Sequence, residues 1–204
     1  YNPTVGGNLL NNGVDEDGGL TKTGNGTLFL NGANTYTNLT TVNGGNLGGS
    51  GTIAGAAVVN SGAGSAPGTS IGSLTINGNL TISSGSTNVF EVDGTTPAND
   101  QVVAGASVTY GGVLKIVPSG SFASGQTFTL FSGAGATSPS NFSSIQGSPG
   151  SGLAFSFTNG VLSVVSSYAT NPTNLTFNAS GGSLNLSWPA DHAGWILQTQ
   201  TNNR

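Results

Sequence analysis

Cysteine and methionine are both absent from the 204 residues, and only 5% of the chain is charged. Without cysteine there are no disulfides and no thiolate metal ligands, so the fold must be held by burial and backbone hydrogen bonding. Without methionine, a chain beginning at Tyr1 reads as a processed form or a fragment, as secretion with signal removal would leave it. No apolar run reaches 18 residues, so nothing here spans a bilayer as a helix. The basic residues are Lys22, Lys115 and Arg204 alone, against a net charge of −4. Such a chain has no patch able to neutralise phosphates, which excludes nucleic acid as a partner.

What fills the chain instead is glycine, at 35 residues, with Ser, Thr and Asn making up most of the rest. Disordered chains of this length carry high net charge and few aliphatic residues. Here the mean hydropathy is +0.02 and short Val/Ile/Leu/Phe runs recur throughout. The glycines have no strict period of three, which excludes a collagen triple helix. Apolar surface is being buried in small repeated pieces.

Those pieces alternate apolar residues with Thr, Ser and Asn, the period-two pattern of strands with one buried face. They are Thr27 to Leu30, Gly72 to Ile82, Asn88 to Val92, Gln101 to Tyr110, Val113 to Val117, Gln126 to Phe131, Leu153 to Phe157 and Val161 to Val165. No 3.6-residue pattern persists, and β-branched residues and glycine both disfavour helix. Gly18-Gly19, Asn43-Gly44, Asn77-Gly78, Gly111-Gly112 and Asn159-Gly160 supply the positive φ that corners need. Short strands with frequent corners fit either a two-sheet sandwich or a coil of parallel strands stacked one upon another.

One stretch discriminates. Gly19-Leu20-Thr21-Lys22-Thr23-Gly24 through Thr27-Leu28-Phe29-Leu30-Asn31-Gly32 to Asn34-Thr35-Tyr36-Thr37, then Thr41-Val42-Asn43-Gly44-Gly45, closely resembles the autotransporter-associated β-strand repeat of bacterial surface and secreted proteins. Asn38 departs from the pattern, standing where the repeat usually has glycine. Gly51 to Gly55, Ala66 to Thr81, Phe90 to Gly94, Asp100 to Val103 and Gly125 to Phe131 look like the downstream part of such proteins, so the resemblance spans residues 18–166. It implies an all-β chain: a right-handed parallel β-helix (β-solenoid), exported across the envelope and serving outside the cell or at its surface. It implies no catalysis.

Residues 1–17 read as an extended N-terminal segment available as a donor strand, with Val5, Leu9 and Leu10 apolar. After residue 166 the texture changes. Tyr168 to Pro172 reads as a linker, and Leu175 to Trp188 as a β-hairpin across Gly181-Gly182. Residues 167–204 therefore form a short C-terminal hairpin or sandwich-like segment, too small to bury a core alone and expected to be completed by a partner.

Candidates for chemistry are few. Asp15, Glu16 and Asp17 sit in a Gly-flanked loop and are the one candidate site for a hard cation such as Ca²⁺. Neither EF-hand spacing nor the GGxGxD nonapeptide is present, which favours a solvated loop and no cofactor. Glu91 and Asp93 fall two apart on a strand, roughly 7 Å apart on one face, with Asp100 expected nearby. Polysaccharide chemistry there would want Arg or Lys for acidic sugar, and none is close. His192 is the only histidine, and the adjacent Asp191 cannot fold back to orient its ring. Trp188, Trp195, Tyr36, Tyr110 and Tyr168 could stack on sugars, but packing accounts for them better. Asn-x-Ser/Thr triplets begin at Asn25, Asn38, Asn79, Asn141, Asn174, Asn178 and Asn185, an outcome of composition.

The sequence thus reads as a non-enzymatic structural subunit of an extracellular bacterial fibre or surface layer. Its expected partners are copies of itself, joined head to tail through terminal strands in a homopolymer. The alternative is an adhesin or passenger stalk presenting a face to surface glycans or proteins.

Overall fold

The computed structural model describes residues 2–9, 18–133, 136, 138, 140–168, 175–189 and 192. The protein is all-β with mostly parallel sheets, and the described residues contain no α-helix.

After a short strand β1 (Thr4–Val5), the chain runs through strands in threes. The first triplet is β2 (Leu20–Lys22), β3 (Thr27–Leu30) and β4 (Ala33–Asn34). The second is β5 (Thr40–Val42), β6 (Gly45–Gly49) and β7 (Thr52–Ile53), and the third β8 (Ala57–Val59), β9 (Ala63–Pro67) and β10 (Ser73–Ile76). The fourth, β11 (Leu80–Ile82), β12 (Thr87–Asp93) and β14 (Gln101–Ala104), carries the small extra strand β13 (Ala98–Asn99). The fifth is β15 (Val108–Thr109), β16 (Val113–Ser119) and β18 (Phe131–Ser132), with β17 (Thr127–Thr129) inserted. There follow β19 (Ser144–Gln146), β20 (Leu153–Thr158), β21 (Val161–Ser166), β22 (Thr176–Ser180) and β23 (Ser183–Ser187).

Corresponding members of successive triplets pair in parallel. One sheet runs β2-β5-β8-β11-β15, a second β4-β7-β10-β14-β18 and a third β1-β3-β6-β9. In the first of these Leu20 pairs with Thr40, Thr40 with Ala57, Ala57 with Leu80 and Leu80 with Val108. The step between corresponding residues is not constant: it is 20 from Leu20 to Thr40, 17 from Thr40 to Ala57 and 28 from Leu80 to Val108. Asn43 and Asn60, 17 apart, are hydrogen-bonded through their side chains, and Asn79 and Ser107, 28 apart, stand in the same relation further on.

The third sheet ends at β9, and β12 packs against β9 as part of a separate parallel sheet, β12-β16-β19, with β13 antiparallel on the edge of β12. Side chains bridge β9 to β12: the Ser65 hydroxyl donates to Asn88 Oδ1 at 2.9 Å, and Asn88 Nδ2 donates to Ser86 Oγ at 3.0 Å. All three residues are buried.

Strand alternation builds the core. Leu28 and Leu30 on β3, Val42 on β5, Leu74 and Ile76 on β10, and Phe90 and Val92 on β12 point inward, while their neighbours are partly exposed. Where such a core is layered, backbones come close together. At Gly78 the reason for glycine is this approach rather than a positive φ, because a Cβ there would lie 2.5 Å from the Ala56 nitrogen. At Gly45 both reasons hold: φ is +62°, and a Cβ would lie 2.2 Å from the Gly26 carbonyl.

The far end of the parallel region is not an open stack. Strands β17, β21 and β20 form an antiparallel three-stranded sheet in that order. Its Phe157 joins Tyr110, Phe131 and Phe142 in a cluster with ring centroids 5.0 to 6.1 Å apart. A second group, Phe122, Phe128 and Phe155, lies beside it. At the other end, residues 2–9 lie along β3 and β4 of their own chain. Phe29 donates to the Pro3 carbonyl, Asn31 to Val5 and Thr35 to Leu9.

Candidate functional site

The outward face of β12 and β16 carries the residues nearest to a site. Glu91 lies opposite Val117, Asp93 opposite Ser119 and Val89 opposite Lys115. Beside this face the segment between β9 and β10 swings outward, and Asp100 fastens it. Asp100 Oδ1 accepts the Gly72 N–H at 3.0 Å and Oδ2 accepts the Glu91 N–H at 2.7 Å. A pair of bonds between Gly49 and Gly68 holds the other end of the segment.

Asp100 is 3% exposed. Burial pushes its carboxyl up to about 6, opposed by the two backbone N–H bonds and reinforced by the nearby Glu91 carboxylate. The fastened segment and the sheet enclose a trough of two linked concavities. The larger, about 400 Å³, is lined by Ser70, Ile71, Glu91, Val117 and Ser119. The smaller, about 140 Å³, includes Phe29, Ala66, Pro67, Val89, Glu91 and Asp100.

The structure thus brings Glu91 and Asp100 to one trough and leaves Asp93 out of it. The Asp93 carboxylate turns back on its own strand end, accepting N–H bonds from Thr95 at 2.8 Å and Thr96 at 3.4 Å and the Thr96 hydroxyl at 2.9 Å. These bonds, led by Thr95, hold its carboxyl below the ordinary range. Sequence spacing pairs Glu91 with Asp93 and expects Asp100 nearby, and only the second of these meets Glu91 at the trough. The partner in space is Asp100, which reaches Glu91 by the turn at β13.

The aromatic candidates divide. Tyr36 and Tyr110 are core residues, each with its hydroxyl bonded inside, to Thr40 Oγ1 at 2.8 Å and to the Ala136 carbonyl respectively. Burial raises both phenols, that of Tyr110 to about 12. Tyr168 is exposed and Trp188 half-buried. Phe29, which the aromatic reading passed over, is the ring at the trough, seated over Gly48, where a Cβ would come within 3.2 Å of it.

His192 is buried, and its backbone N–H donates to the Pro189 carbonyl. Asp15, Glu16, Asp17, Asp191 and Trp195 lie outside the described residues. Among the described residues no group of three or more His, Cys, Asp or Glu side chains is placed to hold a metal ion. Among them, too, no helix is long and apolar enough to cross a membrane.

A buried cation marks the start of the parallel region. Lys22 is 6% exposed, and its ammonium donates to the carbonyls of Thr23 at 2.8 Å, Gly24 at 2.7 Å and Gly44 at 2.8 Å. The first two acceptors follow β2 and the third precedes β6, so one side chain ties the first triplet to the second. Three acceptors satisfy all three ammonium protons.

The C-terminal hairpin has two unlike faces. Phe177 pairs with Leu186 and Ala179 with Leu184 on one, and Thr176 pairs with Ser187 and Asn178 with Asn185 on the other. Phe177 is 75% exposed and Leu184 62%.

Residues 20–48 match the model of the passenger-associated-transport-repeat family. The match covers Lys22 and its acceptors, and coincides with the stretch that resembles the autotransporter-associated β-strand repeat. No curated protein matches the chain.

Proposed function

We propose that the protein is a passenger-type stalk of an exported bacterial surface protein, in which the strand triplets are successive coils of a right-handed β-solenoid. The observation that carries this reading is the parallel register, in which two sheets each take one strand from all five successive triplets and a third takes one from each of the first three. A chain that returns to the same sheet after every three strands, always in parallel, winds, and parallel crossovers of L-residues wind right-handedly. Such a rod holds its outer faces at fixed spacing and is non-enzymatic in this reading. The matched repeat, by its association with passengers, supports a place outside the cell or at its surface. Protease shaving of intact cells of the producing organism tests it: release of the chain into the medium is expected, and full protection until lysis would contradict it.

A second reading, a self-assembling fibre subunit joined head to tail, is favoured by the apolar face of the β22–β23 hairpin, which presents Phe177 and Leu184 outward. Against it, residues 2–9 already lie along their own β3 and β4, and an antiparallel sheet follows the last triplet. Negative-stain electron microscopy of the purified chain separates the two. Monomeric rods favour the stalk, and filaments favour the fibre.

A further inference from the structure

The trough beside β12 is the feature the stalk reading leaves unused. It is a built depression: its outer wall, the segment from Gly68 to Gly72, is fastened at one end by the Gly49 bonds and at the other by Asp100. The floor is apolar, made by Val89, Val117, Ala66 and the ring of Phe29, with Ile71 on the rim. Val117 and Ile71 are 42% and 39% exposed. Around that floor stand the hydroxyls of Ser70 and Ser119 and the carboxylate of Glu91, which faces both concavities.

We propose that this trough binds uncharged glycan chains. A sugar ring has an apolar C–H face and a hydroxylated edge, and the trough offers the complement of each: an aliphatic and aromatic floor for the face, and hydroxyl and carboxylate acceptors for the edge. Charge selects among sugars. The lining carries Glu91 and Asp100 and no cation, so uronic or sialic acids meet like charge at close range. Among the described residues Lys115 is the one cation on this face, across from Val89 and outside the lining. The trough is open and shallow, which suits a chain laid across it rather than an enclosed small molecule. The inference rests on the stalk reading, to which it adds the ligand class and the place of binding.

The test is affinity electrophoresis of the purified chain in native gels containing mannan, laminarin, hydroxyethylcellulose or polygalacturonate. Retardation is expected in at least one neutral gel and not in polygalacturonate. Ile71→Asp and Val117→Asp should each weaken it by at least about tenfold. Ile71→Asp, between strands and already exposed, should leave thermal melts unchanged, and Val117→Asp, opposite Glu91, should lower the melting temperature without unfolding the chain. Thr109→Asp, on the sheet that contains β15, should leave it unchanged. Three results overturn the proposal: no retardation in any neutral gel, retardation that both trough variants retain, or preference for polygalacturonate. Capture of peptides from a random library through Ile71 and Val117, with no sugar bound, would also overturn it by assigning the trough to a protein. Shaving of cells decides the stalk reading independently, so a surface-exposed chain that binds no neutral glycan refutes the trough and leaves the stalk intact.

Discussion

Replacing Lys22 by Met probes the tie between the first two triplets. The substitution keeps most of the aliphatic stem and removes the ammonium that donates to the Thr23, Gly24 and Gly44 carbonyls at 2.7–2.8 Å. Hydrogen bonds from a charged donor are worth roughly 1.5–3 kcal/mol each, which puts three at about 5–9 kcal/mol. Several kcal/mol of that is offset, because the variant no longer has to strip water from a cation. Three carbonyls are then left without their donor, and the net loss is about 2–4 kcal/mol, a large part of the roughly 5–15 kcal/mol that holds an ordinary domain. Lys22→Arg should lose a similar amount, since a planar fork cannot direct its protons at three carbonyls converging on one point. Guanidinium unfolding followed by circular dichroism measures both. Amide exchange at Asn43, whose N–H donates to the Lys22 carbonyl at 2.8 Å, reports whether the loss is local. A loss under about 0.5 kcal/mol for Lys22→Met, or full rescue by arginine, would refute the reasoning.

Three further predictions follow from the same kind of accounting. Burial pushes the Asp100 carboxyl up to about 6, above the ordinary carboxylate range, so the folded state binds the extra proton and stability rises as pH falls from 7.5 through 6 toward 4. The gain is about 1–2 kcal/mol after discounting for partial solvation, and urea titrations of Asp100→Asn should lack it; a wild type that loses stability over that interval would contradict the assignment. Asn88→Leu leaves the buried Ser65 hydroxyl without its acceptor and should cost about 1–3 kcal/mol, read from thermal melts. Gly78→Ala forces a methyl to within 2.5 Å of the Ala56 nitrogen and should cost about 1–3 kcal/mol, whereas Gly6→Ala, with nothing within 4 Å, should be neutral in the same melts.

Strands whose side chains alternate cleanly were legible from the sequence. Thr27 to Leu30 is β3 residue for residue, and Val113 to Val117 lies within β16. Strands β6 and β9 were not, because Gly45-Asn46-Leu47-Gly48-Gly49 and Ala63-Gly64-Ser65-Ala66-Pro67 scarcely alternate. The reason is crowding: a Cβ at Gly48 would meet the Ala66 carbonyl at 2.4 Å, and one at Gly64 the Thr87 carbonyl at 2.0 Å. Periodicity also hides strand direction, since a period of two is the same in parallel and antiparallel pairs, and only the repeat resemblance pointed to parallel pairing. Leu153 to Phe157 and Val161 to Val165 were read as strands, with the corner at Asn159-Gly160, but their antiparallel pairing appears only in the fold.

The trough was illegible for a related reason. Its wall depends on Asp100 meeting Gly72, 28 residues earlier, a distance no local motif encodes. Lys22 was visible only as a letter in a repeat. Its role depends on Gly44, 22 residues on, which the stacking of triplets brings within reach.

That stacking is the central claim, and cysteine pairs test it directly in a chain that has no cysteine of its own. Thr21, Thr41, Val58, Thr81 and Thr109 occupy successive paired positions in one sheet. Neighbours in that column are about 4.8 Å apart and next-but-one residues about 9.6 Å, while a disulfide needs Cα atoms within about 7 Å. Double-cysteine variants at 21/41, 41/58, 58/81 and 81/109 should each close an intramolecular disulfide on mild oxidation, and the 41/81 variant should stay reduced. Closure of 41/81 as readily as of 41/58, or failure of the neighbouring pairs to close, would contradict the stack.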